Sequence, residues 1–337
     1  MRRTLSPLRL LGAAAALVVV AGIVLYLLPS NDYLLLPDTA HPVAPLVHVQ
    51  GGKDTSTNGG IYFVDVFERR ASMFESLFPW IHSGATLVPA KLIVPPGVSD
   101  SAARQQDLRE MTISQQVAAA VALRRLGYRV VAKPSGVIVA ALEETSHAAG
   151  KLHPSDVIVS VNGVPTPTIA GLRAQLAHAK PGETVTLGVN RGGEHLSFAV
   201  RTVADPLDRK RAIVGFSPEQ AARIELPVKV RIDAGNVGGP SAGLAFALEV
   251  MQQLGHNVTH GYRVAATGEM ELNGDVAPIG GVKQKTFGAR DAHADVFLVP
   301  AGDNARTARR YANGIRIIPV KSFPQALQAL QALPART

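Results

Sequence analysis

One serine lies where a glycine-rich loop leads into an apolar helix, a position that could supply a nucleophile. The loop reads GGPSAG over 238–243 and follows a strand predicted over 227–232. Apolar residues then recur at helical spacing, at Leu244, Leu248 and Met251. Backbone N–H groups at a helix start are unpaired, so with the helix dipole they can hold an oxyanion. Ser241 can serve as a nucleophile or as an ordinary N-cap, and the loop alone does not decide between them.

A lysine that follows 42 residues later could activate this serine. Lys283 falls in the first turn of another predicted helix, within the segment PIGGVKQK at 278–285. Burial and a nearby helix N-terminus both lower an amine pKa, and a neutral amine can take the proton of a hydroxyl. Lys285 lies about 200° further around the helix, so both lysines cannot face Ser241. We expect Lys283 to be the base and Lys285 to be solvated.

Three motifs in this order resemble the proteolytic domain of Lon proteases: GPSAG at 239–243, TGE at 267–269 and PIGGVK at 278–283. The resemblance implies that Ser241 is the nucleophile and Lys283 the general base. It also implies that Thr267 is a supporting hydroxyl near the lysine. The fold expected from it is an α/β (α+β) Lon-type proteolytic domain.

The same resemblance assigns supporting and oxyanion roles to the small residues of the loop, Gly239, Pro240 and Ala242. One position departs from the family pattern. ATP-dependent Lon enzymes usually carry an aspartate where Gly238 stands. This departure removes an acid from the start of the loop and leaves the serine–lysine pair intact.

Composition limits the chemistry of the 337 residues. The chain has no cysteine, which excludes disulfides and thiolate metal sites. A net charge of +8 is spread without a basic stripe, and aromatic residues are only 5%, so we expect no nucleic-acid partner. His256 and His260 lack a third ligand, which argues against a metal site. No phosphate-binding P-loop motif occurs, so we expect no cofactor and ATP-independent activity.

The first 30 residues predict a membrane anchor. Three basic residues, Arg2, Arg3 and Arg9, precede nineteen uncharged residues at 10–28. As a helix this run would be about 28 Å long, close to the thickness of a bilayer core. The basic flank favours a cytoplasmic N-terminus, so the rest of the chain is expected outside the cytoplasmic membrane. We divide this part into a basic tail (1–9), a single transmembrane anchor (10–29) and a tether (30–44).

Residues 45–127 are predicted to be the first part of the protease domain. A strand at 61–66 and a helix at 112–126 provide the elements that Lon-type domains have before their serine loop. Thr112 and Gln115 are expected to form the capping box of that helix. An apolar cluster at 74–81 could touch a membrane surface or cover the core, and we favour core cover.

Residues 128–203 have short alternating strands and a Gly192-Gly193 hairpin turn. The stretch GKLHPSDVIVSVNG at 150–163 resembles bacterial PDZ domains. PDZ domains add a peptide strand to a sheet edge, so peptide binding is implied. The candidate carboxylate loop is Leu126-Gly127-Tyr128. We expect this small β-rich domain to be inserted into the protease fold, with 204–337 completing the protease domain.

Together these features resemble the membrane-anchored Lon-like peptidases of bacteria. They predict an ATP-independent serine endopeptidase outside the cytoplasmic membrane, with peptide or protein substrates selected by the PDZ domain. Lon-type domains commonly assemble as rings, which allows a homo-oligomer. One alternative is a surface PDZ scaffold with an inactive Lon-type domain. Another is an α/β-hydrolase, since the loop also fits G-x-S-x-G. That fold needs an acid and then a histidine after the serine, usually near the end of a long chain. Here only 96 residues follow Ser241, and the last histidine is His293.

Overall fold

The computed structural model of the chain describes residues 7–53, 59–94, 99–143 and 146–334, apart from the side chains of Pro7, Arg9 and Leu10. The basic residues Arg2 and Arg3 therefore lie outside it. Helix α1 (Pro7–Leu27) is exposed along its length: every residue from 11 to 20 is exposed to solvent. Among the described residues, no helix combines the length and hydrophobicity required to cross a membrane. The predicted anchor and its orientation stay predictions.

The central sheet has five strands, in the order β2-β4-β16-β19-β20. Its first two strands are β2 (His41–Pro42) and β4 (Gly60–Phe63), and the others are β16 (Arg263–Ala266), β19 (Val296–Pro300) and β20 (Arg316–Val320). The last four strands are parallel, while β2 is antiparallel to β4. β19 and the last three residues of β16 are buried and apolar, as strands covered on both faces require. The sheet thus joins strands that precede and follow the predicted PDZ domain at 128–203.

Helices pack on both faces of this sheet. They are α4 (Asp100–Arg125), α6 (Gly243–Gln253), α7 (Val282–Asp291), α8 (Asp303–Tyr311) and α9 (Phe323–Gln331). The larger core unites Phe63 of β4, Ala118 and Ala122 of α4, and nearly all of α6. A second core on the other face contains Val282 and Ala289 of α7. Ser322 caps α9 by accepting the N–H of Gln325.

Helix α4 is a full 26 residues long, and the predicted start at Thr112 is wrong. Its N-cap is Ser99, whose side chain accepts the N–H of Ala102. Thr112 lies inside the helix and its hydroxyl donates to the carbonyl of Leu108, so it forms no capping box. The first twelve residues are rich in good helix formers but lack an apolar stripe, which hid them from a periodicity search.

The region matching the predicted PDZ domain has its own sheet, in the order β11-β10-β8-β7-β14. Its strands are β7 (Val131–Leu142), β8 (Val157–Val161), β9 (Val164–Pro165, beside β8), β10 (Thr184–Arg191), β11 (Glu194–Arg201) and β14 (Phe216–Glu225). Helix α5 (Ile169–Leu176) is capped by Thr168 and packs on this sheet through Leu172 and Leu176. Buried Asp156 forms an ion pair with Arg191 at 2.6 Å. The sheet therefore includes a strand, β14, that lies beyond the predicted boundary at 203.

A three-stranded antiparallel sheet near α1 has the order β5-β1-β6. Its strands are β1 (Pro29–Pro37), β5 (Val66–Ser72) and β6 (Thr86–Pro89), and short helices α2 (Met73–Leu77) and α3 (Ala90–Ile93) border it. Three small ladders complete the fold: β3 (Val47–Val49) with β15 (Val230–Ile232), β12 (Val203–Ala204) with β13 (Ala212–Ile213), and β17 (Glu269–Met270) with β18 (Val276–Ala277). β1 occupies part of the predicted tether at 30–44, which is thus structured here.

Candidate active site

The serine loop is a single 3-10 turn, Pro240–Ala242, that runs directly into α6. Ser241 lies in this turn and is partly exposed; it is not the N-cap of α6, which is Ala242. Its carbonyl accepts the N–H of Gly268 at 2.8 Å and the hydroxyl of Thr267 at 3.1 Å. The backbone of Ser241 is therefore fixed to the segment that follows β16, and only its side chain is free to react.

Helix α4 holds the serine loop from the other side. The Ser114 hydroxyl donates to the carbonyl of Pro240 at 2.8 Å, and the Gly239 N–H donates to the carbonyl of Asp107 at 2.8 Å. A Cβ atom at Gly238 would lie only 2.6 Å from the Cβ of Asp107. A glycine is thus required at 238, because Asp107 occupies the space that an aspartate there would need.

Lys285, and not Lys283, reaches the serine. The Lys285 Nζ lies 2.6 Å from the Ser241 Oγ and 3.5 Å from the Thr267 Oγ1. Lys283 points away: its Nζ donates to the carbonyl of Ala85 at 2.7 Å. The prediction of Lys283 as the base is wrong on this geometry. The two lysines do face different directions, as their separation requires, but the predicted assignment of directions is reversed.

The phase of α7 decides which lysine is buried. Gly281 is the N-cap in a left-handed conformation (φ 66°), and a Cβ there would lie 2.6 Å from a methyl carbon of Val66. The helix then packs through Val282 and Ala289, which are seven residues apart. Lys285 lies three residues after Val282 and four before Ala289, so it falls on the same inner face. That spacing was the signal in the sequence that could have identified it.

Comparison with known proteins finds two family models in this chain. Residues 124–202 match the PDZ domain, and residues 204–332 match the Lon protease (S16) C-terminal proteolytic domain. The chain carries a PDZ domain and a Lon-type proteolytic domain. Ser241, Thr267 and Lys285 all lie inside the Lon-type match.

Curated relatives agree with these matches. Lon protease 2 of Bacillus subtilis is 37% identical over 122 residues, which are 36% of this chain and 21% of the relative. The Lon protease of Chloroflexus aggregans is 29% identical over 147 residues, 42% of this chain and 18% of the relative. The chain thus spans about a fifth of the length of these relatives. Among solved structures, the PDZ domain of an SdrC-like protein from Listeria monocytogenes is 21% identical, covers 25% of this chain and 87% of that chain, and has a TM-score of 0.23.

Burial sets the electrostatics of the Lon-type site. Lys285 is only 5% exposed, and desolvation lowers its pKa from the ordinary 10.5 to about 8. The negative charges of Asp65 and Glu68 oppose this effect and raise the Lys285 pKa. The balance leaves an amine that is neutral in a useful fraction of molecules near neutral pH and lies in contact with a hydroxyl. Those two properties are what proton abstraction from a serine requires.

The predicted oxyanion residues have different positions around the serine. The Gly239 N–H is already bonded to the Asp107 carbonyl, and Pro240 has no N–H to donate. Neither supplies an oxyanion donor in this arrangement, which corrects that part of the prediction. Ala242 is buried in the 3-10 turn immediately after Ser241. Thr267 is fully buried and contacts both Ser241 and Lys285, the position expected of the supporting hydroxyl.

One group near the site has side chains that could hold a metal ion. Asp38, His41 and Asp65 each offer a ligand atom, and these atoms lie within 4.8 Å of one another. The His41 Nε2 lies 3.6 Å from the Asp65 Oδ1, and the two residues can also form an ion pair without a metal. Burial, followed by the charge of Asp38, raises the pKa of Asp65.

The structure differs from the predicted peptide site of the PDZ domain in two ways. Gly127 and Tyr128 donate their N–H groups to the carbonyls of Arg124 and Leu123. These bonds end α4, so the backbone amides proposed for carboxylate binding are used by a helix cap. β7 also has a neighbour on each side, β8 and β14, so the free edge on this side of the sheet belongs to β14.

Proposed function

We propose that this protein is an ATP-independent serine endopeptidase in which Ser241 is the nucleophile and Lys285 the general base. The single observation that carries the proposal is the 2.6 Å contact between the Lys285 Nζ and the Ser241 Oγ, made by a buried lysine whose pKa is lowered to about 8. The Lon-type family match over 204–332 supports a peptidase reaction.

The geometry supports a two-step acyl transfer. Neutral Lys285 accepts the Ser241 proton while the Oγ attacks the carbonyl carbon of the scissile peptide bond. The resulting ammonium then gives that proton to the leaving amine, and the peptide bond breaks to leave an ester on Ser241. Lys285 next takes a proton from water as the water oxygen attacks the ester carbon. It then returns that proton to the Ser241 Oγ as the ester bond breaks and the new carboxyl group is released. Thr267 keeps Lys285 and the Ser241 backbone in register throughout.

The same geometry weakens the two alternatives. An α/β-hydrolase uses a histidine as its base, whereas the side-chain partner of the Ser241 hydroxyl here is a lysine. A scaffold with an inactive domain has no use for a buried lysine, because burying an amine costs stability. Keeping Lys285 buried against Ser241 is therefore an argument for catalysis.

The decisive experiment compares two lysines on one helix. Turnover of casein or a fluorogenic peptide library, without ATP, is measured for wild type and for Ser241→Ala, Lys285→Arg and Lys283→Arg. We expect Ser241→Ala and Lys285→Arg to be inactive, since a guanidinium cannot act as a base. Lys283→Arg is the matched control and should keep its activity, because a guanidinium can still donate to the Ala85 carbonyl. An active Lys285→Arg together with an inactive Lys283→Arg would reject the assignment.

We also propose that the PDZ domain is inserted in the protease domain and helps to select substrates. The central sheet supports insertion, because β4 precedes the PDZ match and pairs with β16, which follows it. The contacts of α4 with the serine loop give the same support. A peptide could pair with the free edge of β14. It would then lie beside the strand that continues along the chain to β15 and the serine loop.

Two shortened versions of the chain test this arrangement. Fragment 204–337 lacks β4 and α4, and we expect it to stay unfolded. Replacement of 129–226 by a short Gly/Ser linker removes the whole PDZ sheet, including β14, and should leave a fold that cleaves small peptides but handles protein substrates poorly. Replacement of only 129–203 serves as a comparison, because it removes β7 and leaves β14 without its pairing partner. Cooperative melting of 204–337 would mean that the two domains are merely consecutive.

We further propose that α1 anchors the protein in the cytoplasmic membrane with its N-terminus inside and the catalytic domain outside. The apolar sequence of α1 and its exposure on all sides support this, since such a helix gains stability only when its whole circumference is covered. Fractionation of cells and digestion of spheroplasts with an external protease test it. Loss of the catalytic domain only after lysis would contradict the orientation. A homo-oligomer stays a prediction of the resemblance.

A further inference from the structure

The segment that joins β5 to β6 presents apolar side chains to solvent, and the prediction that it covers the core is wrong for most of it. Trp80 is 72% exposed and Leu77 is 55% exposed. Phe78 and Ile81 are exposed beside them. We call these four residues the aromatic surface. A tryptophan left in water to this extent indicates a surface that has a partner.

The aromatic surface is rigid. The Phe78 ring packs against Phe74 at a tilt of 46° with ring centroids 4.9 Å apart, and Trp80 meets the Phe78 ring edge-on at 5.3 Å. Ser72 and Glu75 form a capping box that starts α2. The shape of the surface is therefore present before any partner binds, which lowers the entropy lost on binding.

The acidic group in this region is turned inward. Glu75, the one charged residue of α2, is 1% exposed and is bound by Arg69 and His82. Its bond to Arg69 holds the pKa of Glu75 far below its usual range, so it stays ionised and paired. The outer side of α2 thus presents apolar groups, with the carboxylate held beneath them.

The position of the aromatic surface indicates what covers it. The Met73 N–H, at the start of α2, donates to the carbonyl of Leu28 at 2.8 Å, one residue after α1 ends. Pro29 pairs with Ser72 in the adjoining sheet. The exposed apolar helix α1 therefore ends in direct contact with the start of α2, the helix that carries Leu77 of the aromatic surface.

We propose that the aromatic surface inserts into the headgroup–acyl boundary of the same bilayer that receives α1, and so fixes how the catalytic domain is oriented on the membrane. Aromatic side chains with an apolar body and a polar tip concentrate at this depth, and Trp80 has its indole N–H to face the headgroups. The inference rests on the anchoring part of the proposed function and is independent of the peptidase chemistry.

The segment that carries the aromatic surface is connected to the active-site helix α7. After Ile81 the chain continues to Ala85 and Thr86. The Ala85 carbonyl and the Thr86 hydroxyl accept hydrogen bonds from the Lys283 Nζ. Lys283 belongs to α7, the helix that also carries Lys285. The bilayer-facing segment and the helix of the candidate base are therefore held together by direct hydrogen bonds.

The chain offers its own probe, because Trp80 is its one tryptophan. Full-length Ser241→Ala protein is reconstituted in phosphatidylcholine vesicles, and Trp80 emission is recorded with plain lipid and with lipid brominated near the headgroups or near the chain ends. We expect a blue-shifted emission, protection from acrylamide, and strongest quenching by bromine near the headgroups, since interfacial groups lie about 5–10 Å into the boundary.

A matched control moves the probe to the PDZ side of the molecule. In Trp80→Phe/Tyr128→Trp, the new tryptophan replaces a residue that is 39% exposed, and its emission should not respond to brominated lipid. Leu77→Ser/Ile81→Ser, with Trp80 retained, should reduce the quenching of Trp80.

Flotation of the vesicles separates the outcomes. Protein that floats with vesicles while Trp80 stays open to acrylamide and insensitive to bromine overturns the inference and leaves the anchor standing. Protein that does not float removes the anchor and the inference together. A blue shift that grows with protein concentration and ignores brominated lipid assigns the surface to a second copy of the chain, which also overturns the inference. The peptidase assay affects none of these readings.

Discussion

Replacing Lys285 by methionine should abolish peptidase activity and at the same time stabilise the fold. Methionine has a similar length and no charge, so it fills the buried space of the lysine. At pH 7 a group of pKa about 8 is neutral in about 10% of molecules, against about 0.03% for a pKa of 10.5. The methionine variant has no base at all, and we expect turnover to fall by about 10² to 10⁴-fold.

The stability change follows from the direction of the pKa shift. Because the folded protein lowers the Lys285 pKa from 10.5 to about 8, the unfolded chain binds the proton more tightly. The protonated lysine therefore destabilises the fold by about 3 kcal/mol below pH 8. This cost diminishes as the pH rises from about 8 to 10.5. Losing the bond to Ser241 offsets about 1 kcal/mol, so the net gain at pH 7 is about 2 kcal/mol.

Thermal melting and peptide turnover together measure this prediction. At pH 7 the Tm of Lys285→Met should rise by about 5 °C, and the gain should shrink at pH 10. Lys283→Met is the matched control: it loses a hydrogen bond to the Ala85 carbonyl, so its Tm should fall while turnover persists. An active Lys285→Met with a lowered Tm would refute the reasoning, since the lysine would then be structural.

Three further predictions test the surroundings of the dyad. Glu68→Gln removes a charge that raises the Lys285 pKa, so the rising limb of the pH–rate profile should move to lower pH; an unchanged midpoint would exclude this charge as an influence. Gly238→Asp should destabilise the fold by about 1–3 kcal/mol in denaturant titrations, and adding Asp107→Gly, which removes the clashing Cβ, should recover part of the loss. Ser114→Ala should lower kcat more than it raises KM, because the lost bond positions the serine loop; equal melting and kinetics would show that this bond is dispensable.

The motifs that carry the candidate catalytic residues could be recognised in the sequence. Which face of α7 turns toward the serine could not. Ser241 and Thr267 are together in the structure as the resemblance implied, whereas the base lies two residues from its predicted position. A motif gives spacing along the chain, and the facing of a side chain depends on where the helix begins. Here α7 begins one residue after Gly281, and packing of Val282 and Ala289 then brings Lys285 inward.

Other differences have similar physical causes. Ser99 starts α4 thirteen residues before Thr112, and this first half of the helix lacks an apolar stripe but contacts the serine loop through the Asp107 carbonyl. The core-cover prediction for 74–81 is wrong at Trp80, because hydrophobicity alone cannot say which side of a segment faces the interior. The long strand β14 lies after the predicted end of the PDZ domain, since pairing with β7 is a contact between distant parts of the sequence.

β14 connects the sheet of the PDZ domain to the serine loop along the chain. Gln220 fixes this strand by donating to the carbonyls of Gly136 and Pro167, beside the start of α5. After β14 the chain continues into β15, whose pairing with β3 attaches it to the protease core. If the proposed peptide site is correct, a peptide bound along the β14 edge would contact the same segment that leads to Ser241. The chain leaves the PDZ sheet through β14 before it forms the catalytic loop, because β14 is the last strand of that sheet in chain order.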